Sequence, residues 1–235
     1  MTNEHISSAF DTDLEGVQAQ IMKMGGLVED AIRLGMTSLE TRDEALAQQV
    51  RTADIEIDRL EESINEGAAR IIALRAPTAI DLRLILSVIK ISGNLERIGD
   101  YAKNMAKRTE VLSQIDPIRD SGGTLRRMTR VVEAMLKDAL DAYIHRDAEL
   151  AADVIARDID VDQMYNAMFR ELLTFMMEDP RNITACLHLH FIAKNTERMG
   201  DHVTSIAEQV IYLATGKQPE DARPKSDTTS QLEQG

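Results

Sequence analysis

At 235 residues, with 43% hydrophobic and 29% charged residues, the chain can bury a core and does not have the composition of a disordered protein. A formal net charge of −13, with no basic stripe interleaved with aromatics, argues against nucleic-acid binding. Aromatics at 3%, no Trp and 12 Met favour helix packing over strands, and the single Cys186 excludes a disulfide framework and reads as a small buried hydrophobe.

From the N-terminus, Met1 to Phe10 lack the basic-then-apolar order of a signal peptide, and residues 1–12 read as an arm. A helical stripe follows from about Asp13 to Thr41, with Leu14, Val17, Ile21, Met24, Val28, Ile32 and Leu39 on one face. Thr41 and Asp43 offer capping chemistry for a second helix that buries Val50, Ile57, Leu60, Ile64 and Ile71 and stops before Ala76-Pro77-Thr78. Thr78 with Asp81 opens a third helix to about Leu112, whose core stripe centres on Leu84, Ile91, Leu95 and Ala102. Even its greasiest part, Leu82 to Ile91, is interrupted by Arg83 and Lys90, so no segment is apolar enough to span a membrane and the expected location is cytoplasmic.

The order then repeats. Residues 13–114 form one expected three-helix bundle, 115–123 a linker with Asp116-Pro117 and Gly122-Gly123, and 124–215 a second bundle broken at His145-Arg146-Asp147 and Asp179-Pro180. The polar tail, 216–235, reads as disordered. Arg42-Asp43 matches Arg146-Asp147, and Asp54-Ile55-Glu56-Ile57-Asp58 matches Asp158-Ile159-Asp160-Val161-Asp162, each 104 residues on. Asn94-Leu95-Glu96-Arg97-Ile98-Gly99-Asp100 matches Asn195-Thr196-Glu197-Arg198-Met199-Gly200-Asp201, 101 residues on. The fold class is therefore all-α: two tandem three-helix bundles related by an internal pseudo-twofold duplication.

The repeated segments carry carboxylates four residues apart. Asp54 and Asp58 share one helix face, as do Glu96 and Asp100, and both pairs lie at one height because residues 56 and 98 are each 21 positions from Pro77. Asp158, Asp162, Glu197 and Asp201 repeat the set, and the same level argument adds Glu29 and Glu133 as weaker candidates. Both pairs sit at the rim of their core stripes, so four carboxylates would converge on a shallow groove. Like charges brought together destabilise a fold unless neutralised, and hard cations such as Mg²⁺, Mn²⁺, Ca²⁺ or iron do so with oxygen ligands. The alternative is a solvated acidic rim, with Arg97 and Arg198 pairing to Asp100 and Asp201 along their own helices. Gly99 and Gly200 cost about 1 kcal/mol each in a helix interior, which marks either a close helix crossing or the approach of a ligand shell.

The repeated Asn-x-Glu-Arg-Ile/Met-Gly-Asp, preceded in each half by an Asp-x-x-x-Asp helix, resembles the PhoU family, accessory regulators of bacterial phosphate-specific transport. The resemblance covers about residues 10–215. It implies a cytoplasmic homodimer that negatively regulates the phosphate-starvation response and phosphate uptake. Such a protein couples subunits of the phosphate ABC transporter to a phosphate-sensing, membrane-bound histidine kinase, and meets the membrane only peripherally through those partners. It also implies a bound divalent or trivalent metal (Mg, Mn, Fe or Zn, the identity varying) at Glu96, Asp100, Glu197 and Asp201, with Asp54, Asp58, Asp158 and Asp162 as partners.

Two rivals remain. A di-metal carboxylate enzyme would place His three residues after each Glu, where this chain has Gly99 and Gly200, with His202 matched by Tyr101 and His188 and His190 too far upstream. No nucleophile–base pair or phosphate-cradling glycine loop is present, so a non-enzyme is expected. A metal-independent helical adaptor would use its acidic rims only to attract basic partner surfaces; Met22, Met24, Met36, Met164, Met168, Met176 and Met177 offer it an adaptable docking surface, although most of them read as core filler.

Overall fold

The structure, a computed structural model, describes residues 2–118 and 122–219, with side chains from Thr12 onward. Six helices account for nearly all of it: α1 Thr2–Thr41, α2 Glu44–Arg75, α3 Ala79–Leu112, α4 Gly123–His145, α5 Ala148–Glu178 and α6 Ile183–Thr215, with a single 3₁₀ turn at Pro180–Asn182 before α6. No strand occurs among the described residues, and no helix there is long and apolar enough to cross a membrane. The linker read over 115–123 falls between α3 and α4, and the tail read beyond Pro219 lies outside the described residues.

The repeated Arg-Asp dipeptides are turns. Arg42 and Arg146 take left-handed backbones, at φ 58° and 53°, and the aspartate that follows each caps the next helix. Asp43 Oδ1 accepts from the Leu46 amide at 3.0 Å, and Asp147 Oδ1 accepts from the Glu149 and Leu150 amides at 3.0 Å. The Arg42 guanidinium also donates to the carbonyls of Leu112 at 2.7 Å and Ser113 at 2.9 Å, satisfying the open end of α3. The chain begins its first helix at Thr2 rather than near Asp13. Residues 2–12 hold no Gly or Pro to stop a helix, while the apolar stripe that betrays one begins only at Leu14.

The α2–α3 and α5–α6 corners differ, and here the repeat offset changes. Ala76 turns left-handed at φ 45° before Pro77, whereas Asp179 stays extended before Pro180 and its carboxylate accepts from the Arg181 amide at 3.0 Å. A left-handed backbone costs an alanine about 1–2 kcal/mol and costs glycine nothing sterically. Ala76→Gly is therefore expected to raise stability by about 0.5–1 kcal/mol, after allowance for the looser unfolded chain. A lower denaturant midpoint for the variant would show that the Ala76 methyl contributes more than its strain removes.

Within each half every helix packs on the other two, and the halves meet along α3 with α6 and, over a shorter length, α1 with α4. Val17, Ile21, Met24, Val28 and Ile32 are buried as the α1 stripe anticipates, as are Leu84, Ile91, Leu95 and Ala102 on α3. The buried side chains run as one continuous core through both bundles, so the two repeats fold as one body rather than as beads. Cys186 lies wholly within it. Met24, Met36 and Met168 are core, Met22, Met164 and Met176 are partly buried, and Met177 is 85% exposed. The α3–α6 seam is tied by Arg108 over the Phe191 ring at 4.2 Å and by the His202 ring beside Tyr101 at 5.7 Å. His202 and Tyr101 are matching positions of the repeat, so the pseudo-twofold passes close to this pair.

Candidate functional site

Glycine decides how closely the motif helices approach. A Cβ on Gly99 would stand 3.1 Å from Ile57 Cδ1 and 3.6 Å from Asp54 Oδ1; one on Gly200 would stand 2.9 Å from Asp158 Oδ1 and 3.4 Å from Val161 Cγ1. Each motif glycine thus admits the facing helix together with its aspartate. That accounts for keeping a poor helix former at the centre of both copies.

In the first half Asp58, Glu96 and Asp100 line an open groove of about 510 Å³, joined by Glu61, Glu62 and Arg97, with Asp54 buried beside it. The expected convergence of α2 and α3 carboxylates is present. Glu61 and Glu62 follow Asp58 by three and four residues, so extending the i, i+4 spacing by one turn finds them. Burial first, with the charges of Asp58 and Asp100 adding to it, raises the Asp54 carboxyl above its ordinary value against the pull of Lys103. Burial and then Asp100 raise Glu96 likewise. Arg97 reaches Glu96 at 3.3 Å and Asp100 at 3.6 Å, but is 60% exposed, which makes these weak surface pairs.

Lys103, one turn past Asp100, is the stronger counter-charge, and its reach across to α2 is not evident from helical spacing. Its ammonium bonds Asp100 Oδ1 at 2.6 Å and bridges from α3 to Asp54 on α2. Burial works against that charge, but the hydrogen bonds to Asp100 and Asp54 outweigh it and hold the Lys103 pKa above its ordinary value.

The second set is deeper. Asp158 and Asp162 are 4% exposed and Glu197 6%, with Asp201 half-buried. Lys194 pairs with Glu197 at 2.9 Å along α6 and lies over the Tyr165 ring at 4.8 Å. Burying carboxylates at this depth costs several kcal/mol unless their charge is compensated.

Glu29 and Glu133 stand apart from both sets. Glu29, on α1, feels Asp141, Lys137, Asp30 and Glu133, while Glu133, on α4, feels Arg33 and Arg130, so the two meet at the α1–α4 seam. Equal distance from a turn fixes height along a bundle but leaves the direction around the helix open. Burial is the chief cause that raises both pKa values above the ordinary 4.5. Because the folded state then holds the proton more tightly than the unfolded chain, stability falls as pH rises from about 4.5 through the folded values. Glu29→Gln/Glu133→Gln is expected to flatten that part of the stability–pH curve and to raise the unfolding midpoint near neutrality. Denaturant unfolding at a series of pH values reads this, and an unchanged slope would dismiss the seam as its source.

The histidines do not complete a Glu-x-x-His site. His202 Nδ1 lies 2.8 Å from Asn94 Oδ1 across the seam, His188 Nδ1 lies 3.3 Å from Arg108, and His190 sits among the rings of Tyr165, Phe169 and Phe191. A smaller apolar cavity of about 210 Å³ lies where the linker meets α1, α4 and α6, away from the carboxylate sets.

As donors the two sets are oxygen-only and strongly anionic, which fits a hard cation and no soft one. Among the described residues no three Asp, Glu, His or Cys side chains are yet drawn tightly enough together to chelate an ion. Closure around one therefore needs side-chain rotation and, in the first half, the departure of Lys103.

The fold and these sets define a class: a duplicated three-helix bundle that presents carboxylates at the meeting of two helices, once in each half. The PhoU domain family matches residues 21–109 and 125–210, and the chain belongs to that family. It is 45% identical over 228 residues, 97% of this chain and 99% of the relative, to the phosphate-specific transport system accessory protein PhoU homolog of Caulobacter vibrioides. The homolog of the same description in Rhizobium meliloti is 46% identical over 232 residues, 99% of this chain and 98% of that one. The crystal structure of PhoU from Pseudomonas aeruginosa superposes with a TM-score of 0.86 at 42% identity, covering 88% of this chain and all of that one.

Proposed function

We propose that this chain is a regulatory adaptor of phosphate uptake rather than an enzyme. Its relatives are described as accessory proteins of the phosphate-specific transport system, and a role in regulating that transport follows from family membership along almost the whole chain. The finer reading is a cytoplasmic homodimer that restrains the phosphate-starvation response by linking the phosphate ABC transporter to a phosphate-sensing histidine kinase. The observation that carries the metal part of this reading is the pair of matching carboxylate sets, with Asp158, Asp162 and Glu197 all but buried. A hard cation there holds α5 to α6 and shapes the surface a partner meets. Asp158, Asp162, Glu197 and Asp201 would hold it in the second half, and Asp54, Asp58, Glu96 and Asp100 in the first. When bound, it supplies charge neutralisation and a bridge between helices, with no chemical step.

The test is capture of the transporter's subunits and the histidine kinase from membrane extract, each identified by mass. It is run with and without Mn²⁺, on wild type and on Glu96→Ala/Asp100→Ala/Glu197→Ala/Asp201→Ala. Capture by wild type that disappears with chelator or in the variant supports a metal-dependent adaptor. Capture indifferent to both keeps the adaptor and removes the metal. Failure to capture either partner under any condition overturns the coupling role.

A further inference from the structure

The apolar cavity beside the linker has a counterpart in the second half. Leu39, Glu40, Arg42 and Leu112 line the first. The positions that match them in the repeat, Tyr143, Ile144, Arg146 and Leu213, line a second cavity of about 300 Å³. Gln18, Met22 and Leu84 add to its wall, so it lies between α1 and α3 of one half and α4 and α6 of the other.

What serves the first cavity is missing from the second. Arg42 spends its guanidinium on the carbonyl oxygens of Leu112, Ser113 and Ile115, where the chain leaves α3 for the linker, and Glu40 pairs with Arg126 beside it. Arg146 keeps the same left-handed turn, at φ 53°, yet its side chain makes no hydrogen bond or ion pair among the described residues. Met22 and Ile144 stand where the first half has Arg126 and Glu40, so an ion pair has become apolar wall. In place of Leu39 the second half has Tyr143, only 5% exposed. Its hydroxyl has no hydrogen-bond partner, for Gln18 lies beside it without a bond of ordinary geometry. Burial pushes the Tyr143 pKa up to about 12, so at neutral pH the hydroxyl is protonated and can donate. A buried hydroxyl left unpaired destabilises a fold, and its presence calls for an acceptor.

The Arg146 charge acts on the Tyr143 hydroxyl, so the two donors are neighbours in a cavity otherwise walled mainly by aliphatic side chains. In the first half the arginine of this turn receives oxygens from its own chain. In the second an oxygen acceptor has to come from outside. An arginine fork matches the oxygens of a carboxylate or a phosphate two at a time. The geometry points to a ligand site: this cavity takes a small molecule with an anionic oxygen head, held by Arg146 and Tyr143, and an aliphatic body lying against Met22, Leu84, Ile144 and Leu213. A volume of about 300 Å³ is at the lower end for ligand pockets and suits a short aliphatic chain. Occupancy joins the α4–α5 turn and the last turn of α6 to α1 and α3, so the ligand clasps the two halves together. The site is separate from the carboxylate sets and independent of any metal.

The experiment titrates octanoate, octyl phosphate, inorganic phosphate and 1-octanol into the full-length chain and follows the methyl signals of Met22, Leu84, Ile144 and Leu213 by NMR. Octanoate or octyl phosphate is expected to shift those signals saturably, and the tighter of the two identifies the head the fork prefers. Inorganic phosphate lacks the body and 1-octanol lacks the charge, so each is expected to bind about tenfold more weakly or worse. Arg146→Gln is expected to weaken the better probe about tenfold, with Arg146→Lys, which keeps the charge without the fork, in between. Arg42→Gln is expected to do the reverse, lowering the denaturant midpoint and leaving probe binding alone. Tyr143→Phe is expected to weaken binding while holding or raising the midpoint of the free protein, because it removes a hydroxyl that nothing pairs. Absence of a saturable shift below about 10 mM of octanoate and of octyl phosphate overturns the site. So does binding unmoved by Arg146→Gln, or 1-octanol or inorganic phosphate binding as tightly as the better probe. A Tyr143→Phe variant that loses stability and keeps full binding overturns the part given to the hydroxyl.

Discussion

Gly200→Ala is expected to destabilise the protein by about 1 kcal/mol or more, whereas Gly99→Ala is expected to stay within about 0.5 kcal/mol of wild type. Both replacements gain about 1 kcal/mol of helix propensity. The difference lies in what the new methyl meets. At Gly200 it would stand 2.9 Å from Asp158 Oδ1, and that carboxylate, 4% exposed, has little room to retreat. At Gly99 the nearest atom is Ile57 Cδ1 at 3.1 Å, the end of a side chain that yields by a few tenths of an ångström. Overpacking a tight crossing costs about 1–3 kcal/mol, which exceeds the propensity gain at Gly200 and is offset by it at Gly99. Denaturant unfolding of the two variants side by side measures this. Equal losses would mean that the glycines serve the helix crossing alone and not the seating of the aspartate.

The six helices were legible because a period of 3.6 residues repeats the same apolar stripe, and Val17, Ile21, Met24 and Val28 could hardly lie elsewhere. The turns were legible because Arg42-Asp43 and Arg146-Asp147 recur, although the Arg42 grip on the α3 carbonyls was not: it depends on where a distant helix ends. The start of α1 was not legible, because the apolar stripe that marks the helix begins only at Leu14. Within the site, the pairing of Asp54/Asp58 with Glu96/Asp100 followed from helical spacing and height alone. Direction around the helix did not, which is why Glu29 and Glu133 came to the α1–α4 seam instead. Lys103 stands three residues after Asp100 in plain view, yet that it reaches to Asp54 depends on how closely α2 and α3 approach, and Gly99 and Ile57 settle that only in three dimensions. The difference in depth between the two sets is likewise a property of the assembled bundles, for the two Asp-x-x-x-Asp segments are nearly the same in sequence.

The largest expected effect is stabilisation by a divalent cation. An ion that binds only the folded chain adds about 2.7 kcal/mol per site at a hundredfold excess over its Kd, and in a chain of this size that corresponds to a rise of about 5–10 °C in the unfolding midpoint. General salt screening acts weakly on groups as buried as Asp158 and Asp162, so NaCl at matched ionic strength is expected to reproduce only a small part of the shift. Chelator should reverse it. Asp158→Asn/Asp162→Asn should abolish it; if the two carboxylates are held for an ion rather than for internal pairs, the same variant is at least as stable as wild type in metal-free buffer, because it removes buried like charges. That opposition separates a cation site from a structural ion-pair network: residues held for an ion destabilise the empty protein, whereas residues held for internal pairing stabilise it. A midpoint that does not move with Mn²⁺, together with an asparagine variant less stable than wild type without metal, would leave the carboxylates as structural pairs and the protein as a metal-independent adaptor.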